Sequence, residues 1–105
     1  MSDNLPISEQ YRIVAKDWVD CDAAARLLEE TKRAFLAQGM AALGDKPAAH
    51  AERDVKSSQE WADFIRKMVD ARSLASRKKA QLEYIRMKFH EWQSFEATKR
   101  AEMKL

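Results

Sequence analysis

From Ser57 to Leu105 the chain holds neither Gly nor Pro, and its large apolar residues return at intervals of three and four. On an α-helix those intervals bring a side chain back to nearly the same face. Trp61, Phe64, Met68, Leu82, Ile85, Phe89, Trp92 and Met103 therefore share one stripe. This half of the chain is predicted to form a long amphipathic helix, and a helix of such length is either one arm of a helical hairpin or part of a multi-chain bundle. No active-site motif accompanies it.

The first half repeats the pattern. Val14, Trp18, Cys21, Ala25, Leu28, Phe35 and Leu36 form a second stripe, with Asp17, Asp20, Glu29 and Glu30 mostly displaced from it. Ser8 is the candidate N-cap, and Glu9 suits the positive end of the helix dipole. Gly39 is a candidate fray point. Gly44-Asp45-Lys46-Pro47 is the one strong turn signal, with Gly44 as C-cap and Pro47 disfavouring helix at Lys46 while suiting the first position of the next helix. Ser57-Ser58-Gln59-Glu60 carries a capping-box pattern, which leaves two readings open: a restart there, or one uninterrupted helix.

The predicted architecture is all-α: one domain over residues 1–105, a long antiparallel helical hairpin of two or three helices that assembles into a bundle. Its parts are a loose lead over 1–7, helix 1 over 8–43, a turn over 44–47 and helix 2 over 48–103, with an interruption near 57–58 as the alternative. As a heptad the second arm places Ala71, Ala75, Lys78, Glu96 and Lys99 on its seam. Two-stranded coiled coils want large apolar residues there, so a bundle with close helix approach is the better expectation.

Charge separates the halves. Residues 1–50 carry six Lys/Arg and eight Asp/Glu, residues 51–105 thirteen and nine. The extreme lies in residues 66–88, where Arg66, Lys67, Arg72, Arg77, Lys78, Lys79, Arg86 and Lys88 meet only Asp70 and Glu83. Such a stretch can neutralise phosphates, and Tyr84, Phe89 and Trp92 offer rings for unpaired bases. The plainer reading has these cations solvate the surface or pair with the acidic first helix, while Phe89 and Trp92 lie on the buried stripe. Core periodicity of the aromatics favours the plainer reading.

A second candidate is a protein-interaction face. Ile65, Val69, Leu74, Tyr84, Met87 and Phe95 flank the main stripe, so the apolar region is wider than one partner helix covers. The candidate face is Trp61, Phe64, Ile65, Met68, Tyr84, Met87, Phe89, Trp92 and Phe95, residue types enriched at interfaces.

Enzymatic chemistry is not expected. His50 and His90 belong to no metal-binding spacing, the two glycines form no phosphate loop, and Cys21 on the apolar stripe reads as core filling rather than nucleophile. No cofactor or metal site is expected. One cysteine makes no intrachain disulfide, no apolar run is long enough to span a bilayer, and the first ten residues lack the basic start and apolar stretch of a secretory signal. A cytoplasmic location without membrane association is the expectation.

The segments Ala15-Lys16-Asp17-Trp18-Val19-Asp20, Ala24-Ala25-Arg26-Leu27-Leu28-Glu29-Glu30-Thr31-Lys32, Ala71-Arg72 and Trp92-Gln93-Ser94-Phe95-Glu96-Ala97-Thr98-Lys99-Arg100-Ala101-Glu102-Met103 resemble a group of small helical proteins of tailed bacteriophages and prophages. The resemblance implies a phage-infected bacterial cytoplasm, and roles in replication or recombination or in disabling a host factor. It transfers no activity to particular residues. The expected function is a self-associating, non-enzymatic interaction module for a host or phage protein; the alternative is a single-strand nucleic-acid accessory protein.

Overall fold

A computed structural model describes residues 4–104; the first three residues of the expected loose lead lie outside the described residues. Three helices follow one another, α1 (Ile7–Ala42), α2 (Ala48–Lys56) and α3 (Gln59–Met103), and no strand occurs among the described residues. The fold is all-α, with α1 antiparallel to the arm made by α2 and α3.

Each boundary has a local cause. α1 starts ahead of Ser8 because Pro6, extended at ψ 150°, takes the N-cap, and its carbonyl accepts the amides of Glu9 and Gln10 at 3.0 Å. Gln10, almost fully buried, pins the preceding turn by donating from Nε2 to the Leu5 carbonyl at 2.7 Å. At the other end Leu43 is the C-cap, one residue before the expected Gly44. Gly44 follows at φ +76°, a left-handed geometry that a side chain disfavours. Pro47 caps α2 with an extended backbone, and Lys46 reaches Asp54 at 2.7 Å across the turn.

The second arm is broken at the serine pair. Ser58, not Ser57, caps α3: its Oγ accepts the Trp61 amide at 3.2 Å and its hydroxyl donates to the Val55 carbonyl at 2.6 Å. Ser57 donates to the Arg53 carbonyl at 2.8 Å, so the two hydroxyls occupy carbonyls at the frayed end of α2. With the cap at Ser58 the third helical residue is Trp61, which leaves Glu60 out of the capping-box position. Gly39 is no fray point, since α1 continues to Ala42. A Cβ on Gly39 would lie 3.0 Å from both γ-carbons of the buried Val55, and the bare backbone is what lets α2 close on α1.

Among the covered positions, Ile7, Tyr11, Val14, Trp18, Cys21, Ala25, Leu28, Phe35 and Gly39 of α1 and Trp61, Phe64, Met68, Ala71, Ala75, Lys78, Leu82 and Ile85 of α3 form the facing seams, with Gln10, Ala15, Leu36, Ile65 and Arg72 among those covered beside them. Both sets follow the alternating four-three step of a heptad seam. The irregular seam of the second arm is thus the seam of the hairpin itself. Its packing differs along its length. Near the turn Phe35 stacks on Phe64 at 4.5 Å between centroids with Trp61 at 6.1 Å. In the middle Ala25 and Ala75 have no exposed surface. Towards the open end Val14, Leu82 and Ile85 form the core, with Ile7, Tyr11, Ala15 and Trp18 against it.

The short turn makes this pairing antiparallel, and charge supports its register. Arg72 donates to Asp22 at 2.7 Å and bidentately to Glu29 at 2.7 and 2.8 Å. This guanidinium holds the Asp22 and Glu29 carboxyls below their ordinary range, and they raise its own pKa in turn. These residues flank the seam on the same side of each helix, the positions that set partner orientation in heptad pairs.

The result measures 83 × 23 × 16 Å with a radius of gyration of 23.0 Å, against about 13 Å for a compact chain of this size. No described helix is long and apolar enough to cross a membrane.

Candidate functional site

The nine apolar candidates divide into two groups. Trp61, Phe64, Ile65 and Met68 are half-buried beside the turn, where Trp61 and Phe64 share the ring cluster with Phe35 and Lys32 lies 5.9 Å over Trp61. Tyr84, Met87, Phe89, Trp92 and Phe95 are exposed. Trp61 and Phe95 are separated by roughly 50 Å of helix, so the nine form no single face.

The exposed group lies where the hairpin runs out. Pro6 starts α1 at Ile7, and Ile7, Tyr11, Ile85 and Phe89 line a groove of about 420 Å³ flanked by Arg86 and His90. Beyond His90, α3 continues for about 20 Å to Met103 with no second described helix beside it. Phe89 is 38% exposed and Trp92 52%, which corrects the expectation that both are buried: the stripe is real, but α1 ends before covering it. Phe89 stacks against Trp92 at 6.1 Å, and Phe95 and Met103 extend the apolar surface. On the side that would face α1, Glu96 and Lys99 occupy the two seam positions between Trp92 and Met103. The heptad reading of the sequence placed both on the seam but counted them only as irregularities there, not as part of a site.

The eight cations of residues 66–88 form no common patch. Arg72 is occupied by Asp22 and Glu29, and Lys78 lies in the seam 3.8 Å from Asp17. Arg86 donates to the Tyr11 hydroxyl at 3.2 Å and stands 3.7 Å from Glu83, which together raise its pKa. Lys88 covers the Tyr84 ring at 5.7 Å. Arg66 and Lys67 line a shallow surface together with Glu60, Asp63 and Asp70, so the local charge there is mixed. Arg77 and Lys79 are exposed. The sequence counted these charges along the chain, whereas the helix distributes them around its circumference and turns Arg72 and Lys78 towards the acidic arm.

Among the described residues no three His, Cys, Asp or Glu side chains converge as a metal site, and Cys21 is half-buried in the seam. Comparison of the chain with protein families, curated proteins and solved structures found no match.

Proposed function

We propose that this chain is a non-enzymatic helical interaction module that self-associates and presents the open end of its hairpin, Tyr84 to Met103, to a protein partner. The observation that carries the reading is the uncovered aromatic run of Phe89, Trp92 and Phe95 on a helix that outlasts its partner. Aromatic and Met side chains are enriched at protein interfaces, and neighbouring exposed ones mark interaction sites. The surface area adds support: 8136 Å² is well above the roughly 6000 Å² of a compact monomer of this mass, and self-association would remove part of the excess. A phage or host protein as a further partner, and a bacterial cytoplasm as the setting, rest on the resemblance of the segments from Ala15 to Lys32 and Trp92 to Met103.

The second reading, single-strand nucleic-acid binding, has the exposed pair Arg77 and Lys79 and the ring of Tyr84 in its favour. Size-exclusion chromatography with light scattering, alone and with a short single-stranded DNA at low and high salt, separates the readings. An oligomer indifferent to DNA, and without a steep loss as salt rises, is the expected result. A DNA complex that falls apart steeply with salt, and is lost in Arg77→Glu with Lys79→Glu, would favour the second reading.

A further inference from the structure

Resting on the self-association reading, we infer that a second copy of this chain covers the open end, pairing antiparallel through residues 91–104 of α3 about a two-fold axis between Ala97 and Thr98. The register follows from three observations. The seam of α3 continues past the hairpin as Trp92, Glu96, Lys99 and Met103 at the same alternating steps by which Lys78, Leu82 and Ile85 meet α1. A second α3 that takes over the place of α1 on this seam keeps its antiparallel sense, which Arg72 on Glu29 and Arg86 on Tyr11 show along the hairpin. The extension is also self-complementary: an axis between Ala97 and Thr98 sets Trp92 against the partner's Met103, and Glu96 against the partner's Lys99. Two-fold symmetry makes each contact twice, as an isologous interface requires.

Other axes lose the match. Centring the pair on Glu96 puts two carboxylates face to face, and centring it on Lys99 does the same with two ammonium groups, each a like-charge contact that excludes the register. The axis between Ala97 and Thr98 also sets the partner's Met103 opposite Trp92, one turn short of Phe89 at the rim of the groove. Charged residues in a seam thereby serve register, where an all-apolar extension would slip by a turn at little cost.

Light scattering and small-angle X-ray scattering on the full chain test this, with circular dichroism to confirm helix content. The wild type is expected to be a dimer whose longest dimension is roughly 145 Å, two molecules of 83 Å sharing about 20 Å of helix. Glu96→Lys and Lys99→Glu alone each set like charges against each other twice, and each should weaken the dimer by roughly tenfold or more. Glu96→Lys combined with Lys99→Glu restores the opposite pairing and should restore the dimer. Dimers unaffected by either single change, or a longest dimension near 83 Å, would overturn the end-to-end pairing while leaving self-association standing. A wild type that stays monomeric would overturn both.

Discussion

Gly39 and Val55 show how much one missing methyl group decides. With both γ-carbons 3.0 Å from the site of a Cβ, Gly39→Ala overpacks the contact between α1 and α2, at a cost of about 1–3 kcal/mol that exceeds the gain in helix propensity of about 1 kcal/mol. Thermal denaturation should show a net loss. In a Val55→Ala background the clash is gone and the same substitution should become stabilising, a reversal of sign that a general effect on the helix would not produce. Gly44→Ala is expected to cost about 1–2 kcal/mol, because φ +76° is left-handed. Gly44 was legible in sequence from its neighbours Asp45 and Pro47. Gly39 was not, since an isolated glycine in a helical pattern reads the same whether it loosens a helix or admits a neighbour. Only the position of Val55 decides between these, and that depends on how α2 folds back.

Among the elements α3 was the most legible, because periodicity reports which face of a helix is apolar. It does not report how far the covering helix extends. Ile85 and Trp92 lie on the same stripe two turns apart, yet Ile85 is 2% exposed and Trp92 52%. The difference is set by Pro6, some eighty residues away in sequence, through the start of α1. Ile85→Ala should therefore cost about 2–5 kcal/mol. Trp92→Ala, measured in urea at concentrations where the chain is monomeric, should cost no more than about 0.5 kcal/mol. Equal losses at the two positions would mean that α1 or another segment covers Trp92 in solution. The break before α3 was half legible: the serines announced a restart, but the choice of Ser58 over Ser57 follows from which hydroxyl reaches the Trp61 amide.

At the scale of the molecule the two arms are held in register by Arg72 on Asp22 and Glu29, a match foreshadowed by the opposite net charges of the two halves but not by their residue pairing. Both carboxyls are depressed below their ordinary range, so their contribution to stability is complete above about pH 5 and is lost as pH falls through their lowered values. The midpoint of thermal unfolding should fall with acidification below about pH 4. Arg72→Met, which keeps an unbranched stem without the charge, should flatten that dependence while leaving the helix content at pH 7 intact. The elongated shape has a temporal consequence as well. Phe35 meets Trp61 after closing a loop of about 25 residues, whereas Tyr11 meets Arg86 across 75. The shorter loop has the smaller entropy of closure by about 1 kcal/mol. Folding is then expected to run like a zipper from the aromatic cluster at the turn, and the last teeth to close are those beside the uncovered end of α3.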